Sequence, residues 1–267
     1  MFGLTPKLPV SDDERIWVNL GFHRLERILG RNRMVEAPVI LPTPLFFPDR
    51  YDETEAAVHS MFRRICDYMK VSPEGIALEI LSDETGELRK LLPQWRASER
   101  GAAGLYVPPS ANDEELKASQ SDDCQIAADT TMVCVHASQL KDPLALVATI
   151  AHELGHVILL GGGLMKPDVA DMEPMTDLLA VFLGFGVFRA NSAFQFKQYQ
   201  DDRRQGWSVQ RQGYLSEEIY GYALARYAEE RNEEKPEWVS FLSTNIRAYY
   251  KRSRSWLIRN REGAPIG

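Results

Sequence analysis

DPLALVATIAHELGHVILLGGG, residues 142–163, has the pattern of one apolar helix interrupted by His152, Glu153 and His156. On an α-helix, positions four apart share a face, so the two imidazoles lie about 40° apart around the axis. Glu153 points about 100° away from His152, close enough to reach a water held beside them. This order, H-E-x-x-H, lets one rigid element offer two ligands to a divalent metal and set a base next to it. The helix reading has local support. Asp142 is a good N-cap and Pro143 suits the first helical position. Val147, Ile150, Ala151, Leu154 and Ile158 form an apolar stripe, and Gly161, Gly162 and Gly163 end it. The simpler reading is a solvated helix face carrying two histidines by chance. The apolar flanks weigh against it, because they put both rings in or beside a core, where ring nitrogens need partners.

A catalytic zinc takes three protein ligands and keeps one position open. The next helical stretch, EPMTDLLAVFLGFGVFR (173–189), opens with Glu173, and Pro174 suits its first turn. Asp177 follows one turn later on the same face. It stands in an otherwise apolar helix, where an unpaired carboxylate is costly. A hydrogen bond from the second ring nitrogen of a ligand histidine would satisfy it and fix that ring. Helix capping and the helix dipole explain Glu173 adequately but leave Asp177 unexplained. Asp171 and Asp177 stay open as direct ligands.

The two helices together resemble the gluzincin metallopeptidases, the group that includes thermolysin-like proteins, in which one helix carries H-E-x-x-H and the following one E-x-x-x-D. The likeness covers residues 142–190. It implies a zincin-like fold in which His152, His156 and Glu173 bind Zn2+, Glu153 is the general base and Asp177 orients a ligand histidine. The implied activity is hydrolysis of peptide bonds. It also implies an extended substrate paired with an edge strand, for which Gly104–Val107 and Thr130–Ala137 are the candidates. Met172 stands where thermolysin-like proteins have Asn, and their transition-state-stabilising histidine has no clear counterpart. Tyr214, Tyr220 and Tyr222 in GYLSEEIYGY, with His136 before the metal helix, are the candidate donors. Two other classes use the same residues: a zinc-dependent hydrolase of a non-peptide amide, and a non-enzymatic zinc-binding sensor or interaction module. Glu153 weighs against the last, since a structural zinc has no use for a base.

The remainder of the chain frames this site. Its 267 residues, 44% hydrophobic and 26% charged, suit a soluble globular protein. A net charge of −7 gives no dominant basic field, which excludes a nucleic-acid-binding role, and the Arg-rich stretch 251–261 reads as a solvated helix end. Cys66, Cys124 and Cys134 lack C-x-x-C spacing and read as reduced, partly buried thiols. The N-terminus has no signal-peptide pattern, and the apolar runs are read as too short or too interrupted to span a bilayer. These features predict a cytoplasmic protein with no membrane partner; the peptide or protein substrate is what the resemblance implies.

Helices are predicted over 12–30 and 53–70, with the proline-rich 37–49 as an extended connector between them. Strands are predicted at 76–81, 104–107 and 130–137, and a polar loop at 108–123. A single buried helix follows over 173–189, a loop over 191–212, helices over 215–231 and 237–250, and a frayed tail after Trp256. Strands before residue 140 and helices after it make an α+β order, with a small mixed sheet packed on the H-E-x-x-H helix and further C-terminal helices. The predicted parts are 1–50, an N-terminal helix and connector; 51–190, the metal-binding core; and 191–267, a helical extension.

Overall fold

Local signals set most of the elements. In the computed structural model, which describes residues 7–81, 104–108, 130–166, 169–200 and 215–262, the chain is mixed α/β, with abundant helix and one three-stranded mixed sheet. The chain gathers into two compact units. One takes in the described residues of Met1–Leu41, Ala170–Phe194 and Gly206–Gly267, the other those of Pro42–Val169 and Gln195–Gln205.

The second unit holds the sheet. Helix α3 (Glu55–Met69; α1, Asp12–Leu29, and α2, Arg31–Val35, are in the other unit) starts at Thr54, whose side chain accepts the Ala57 N–H, and stops at Lys70 in the left-handed conformation. Strands β1 (Ile76–Leu81), β2 (Gly104–Val107) and β3 (Thr131–His136) follow, in the order β1-β3-β2. β3 runs parallel to β1 and antiparallel to β2. Being central, β3 is the strand that most needs apolar residues on both faces, and Val133, Cys134 and Val135 are wholly buried. Helix α4 (Pro143–His156) is capped by Asp142, which accepts the Ala145 N–H at 3.0 Å. It packs against α3 and against β2 and β3, so every residue from Ala145 to His156 is buried. Beyond His156 the chain makes a π-helical turn, Val157–Gly161, before the glycines release it.

One expectation about α4 is corrected. Although the histidines and the glutamate interrupt its apolar run, Pro143–Gly161 is long and apolar enough, by length and composition, to cross a membrane. In the fold, 72% of that stretch is buried inside the protein.

The first unit is helical. Helix α1 (Asp12–Leu29) opens with a capping box, Ser11 accepting the Glu14 N–H while Glu14 accepts the Ser11 N–H, and closes at Gly30. The short α2 (Arg31–Val35) follows. Helices α5 (Met172–Ala180), α6 (Gly186–Gln200, of which Gly186–Phe194 lie in this unit), α7 (Glu217–Glu230) and α8 (Thr244–Glu262) complete it. α1 packs on α5 and α7, and α7 on α8. Phe22 and Phe182 pair with ring centroids 6.3 Å apart, and Leu25, Leu178 and Tyr220 of the same unit are buried as well.

Three sequence expectations change here. The single helix predicted over 173–189 is broken: within a π-helical turn, Val181–Phe185, the chain reverses its twist at Gly184, with φ 93°. The Gly184 carbonyl accepts the Ile40 N–H at 2.9 Å, and a Cβ there would collide with the Pro38 carbonyl oxygen. Gly184→Ala should therefore cost about 2–4 kcal/mol, from the left-handed backbone plus the clash, measurable as a lowered urea midpoint. The loop predicted from 191 is helix as far as Gln200. The tail expected to fray after Trp256 stays helical to Glu262, and the Arg15 guanidinium lies 5.6 Å from the Trp256 ring centroid. Cys124, Tyr214 and nearly all of the predicted loop at 108–123 lie outside the described residues.

Candidate metal centre

Helix geometry does what the spacing predicts for the two histidines. His152 and His156 are 3% and 6% exposed, and their Nε2 atoms face each other at 3.2 Å. The rings stand nearly perpendicular, at 84° with centroids 4.8 Å apart. An imidazole nitrogen either carries a proton or offers a lone pair, so two facing nitrogens accommodate at most one proton between them. A cation in place of that proton engages both lone pairs. Zn–N bonds of about 2.0–2.1 Å at a tetrahedral angle put two nitrogens about 3.3 Å apart, so the observed pair fits a shared zinc.

Glu153 is buried with them, at 5% exposure. β2 passes directly against it: a Cβ on Gly104 would lie 2.6 Å from Glu153 Oε1 and 2.6 Å from Thr149 Cγ2. Two residues along the same strand, Tyr106 lies roughly parallel to His156, at 25° with centroids 6.1 Å apart. Burial, and then the Glu153 carboxylate, push the Cys134 thiol up to about 12, and burial does the same to Cys66. Both are free and wholly buried rather than partly so, and they stay protonated at neutral pH.

Glu173 and the aspartates belong to the other unit. Glu173 is half-buried in the first turn of α5, where a carboxylate also favours the helix dipole. Asp171, one of the alternative ligands, accepts the Trp17 indole N–H at 3.2 Å. Asp177 is fully buried, but its charge is met within its own unit. Arg189, also buried, donates to Asp177 Oδ1, and the Leu215 N–H donates to Oδ2 at 3.2 Å. Tyr220 lies beside the pair, and burial raises its hydroxyl well above the usual tyrosine range. Arg189 thus compensates a charge for which the sequence reading calls on an imidazole N–H.

The candidate transition-state donors are placed as follows. His136 ends β3, and its Nδ1 accepts the Ser138 N–H at 3.2 Å, capping the 3-10 turn Ala137–Lys141. Tyr222 donates to Asn19 Oδ1 at 3.1 Å. Tyr214 lies outside the described residues. Sequence reasoning offers Gly104–Val107 only as a candidate edge for substrate and gives Gly104 and Tyr106 no part of their own, because nothing local to β2 shows which of its residues face the H-E-x-x-H helix. A groove of about 480 Å³ between α3 and β1, lined in part by His59, Arg63 and Glu79, is at the opposite edge of the sheet from β2 and contains no candidate site residue. Comparison with known proteins gives no match: no family model fits the chain, and no curated protein or solved structure is significantly similar to it.

Proposed function

We propose that the chain is a zinc-dependent metallopeptidase of zincin-like fold, with His152, His156 and Glu173 as ligands and Glu153 as general base. The observation that carries this reading is the buried pair of imidazoles, nitrogens facing at 3.2 Å, with a buried carboxylate on the adjacent helix position. Glu173 is the third ligand on chemical grounds. The three residues offer two imidazole nitrogens and a carboxylate oxygen, a donor set that suits zinc and leaves one position for the reaction. Bound there, Zn2+ would supply Lewis-acid polarisation of a water and of a substrate carbonyl. Glu153 takes the proton from the attacking water and gives it to the leaving nitrogen. Its burial keeps bulk water from competing for that proton.

The sheet order favours a peptide over a non-peptide amide. β3 is paired on both sides and so is unavailable to substrate. Among the described strands β2 pairs on one side only, and it is the strand that touches Glu153. An extended peptide can add along such an edge by main-chain hydrogen bonds.

The test combines elemental analysis with cleavage of an unbiased peptide library. Wild-type protein should hold about one zinc per chain, and the His152→Ala, His156→Ala double variant should hold none. Cleavage should stop on chelation and return with zinc. Full zinc content in the double variant removes the site, whereas a zinc-loaded wild type that cleaves nothing removes the peptidase.

A further inference from the structure

We propose that Gly104 is a positioning residue for Glu153, and that the missing side chain at 104 is what lets the carboxylate stand where a base is needed. The inference rests on the reading of Glu153 as the base. β2 alternates between two surroundings. Leu105 and Val107 pack with Leu81, Met132 and Cys134 in the core of the sheet. Gly104 and Tyr106 face α4, Gly104 against Glu153 and Thr149, and Tyr106 against His156. The same face of the strand thus touches both the base and a histidine of the metal pair.

The backbone does not explain the glycine. Gly104 is absent from the positive-φ glycines, which are Gly30, Gly75, Gly163 and Gly184 among the described residues, so any L-residue could adopt its conformation. Space explains it. A Cβ at 104 would meet Glu153 Oε1 at 2.6 Å, Thr149 Cγ2 at 2.6 Å and Glu153 Cγ at 2.9 Å, all closer than carbon atoms pack. Something must yield. The β-branched Thr149 is stiff at χ1, and its Oγ1 accepts the Gln139 amide at 2.9 Å. β2 is held by its ladder to β3. The Glu153 carboxylate, at the end of an unbranched side chain, is the group that moves. Neither histidine is among the atoms a new side chain would meet first. The displacement therefore falls on the base and spares the imidazole pair.

Gly104→Ala should keep zinc at wild-type stoichiometry and lose about 100-fold in kcat with KM little changed, the loss expected of a catalytic group misplaced by about 1 Å. A purely structural glycine would leave kcat unaltered in the folded variant. A second readout needs no activity. In a Thr149→Ser background, which removes the other obstructing methyl, Gly104→Ala should lower the Tm of the metal-free protein by about 2–10 °C. Most of that loss should vanish when Glu153 is also Ala. Losses that simply add would show that residue 104 does not hold the carboxylate, and overturn the proposal. Full kcat in folded Gly104→Ala would overturn it too. If the wild type cleaves no peptide, the peptidase reading fails alone, and the unfolding cycle still decides the role of Gly104.

Discussion

Glu153→Gln should leave zinc binding intact and cost at least about 1000-fold in kcat/KM, within the range general-base catalysis supplies. Glutamine has nearly the same shape and fits the same buried space against β2. It has no basic oxygen for the proton of the attacking water and no proton to pass on to the leaving nitrogen. A 1000-fold loss corresponds to about 4 kcal/mol of transition-state stabilisation. Equal falls in kcat and kcat/KM would show that the lost interaction exists only in the transition state. Measuring zinc content alongside is essential, because a variant that has lost metal is silent for another reason. A zinc-replete Glu153→Gln within tenfold of wild type would end the assignment of the base. A binding module, by contrast, would keep its partner affinity in this variant, so the substitution also separates the two classes.

The parts of this site that were legible in the sequence are those fixed within one or two helical turns. His152 and His156 converge because helical pitch alone puts positions four apart on one face, and Asp142 and Pro143 mark where that helix begins. β1, β2 and β3 lie where β-branched and apolar runs predicted them, within a residue at each end. What lay beyond reading depends on partners distant in the chain. Strand order is one such feature: that β2 and not β1 lies against α4 follows from how β3 pairs on its two sides. Gly184 is another, since apolar content does not report φ, and the break there is fixed by Pro38 and Ile40. α6 and α8 outran their predicted ends because Gln, Lys, Arg and Leu are good helix formers even in polar company. Arg189 did leave a trace, as a lone cation closing an apolar run, but its pairing with Asp177 twelve residues back spans the break at Gly184.

That pair should give the largest stability effect in the molecule. Arg189 and Asp177 are 2% and 0% exposed, so water screens neither charge. Arg189→Met keeps much of the apolar stem and leaves Asp177 as a buried carboxylate without its guanidinium. Breaking a buried pair from one side typically costs about 3–5 kcal/mol, because the survivor keeps its desolvation penalty and loses its compensation. A lowered urea midpoint at constant m value is the measurement. Adding Asp177→Asn should recover part of the loss, since the orphaned charge is then gone and the amide oxygen can still accept from Leu215. Additive losses, or a single-variant cost below about 1 kcal/mol, would mean that the pair is not what holds these helices. Asp177→Asn alone separates the two jobs this carboxylate has been assigned. If it also orients a ligand histidine, zinc affinity should drop about 10–100-fold. If its only work is to pair with Arg189, the urea midpoint should move and zinc affinity should not.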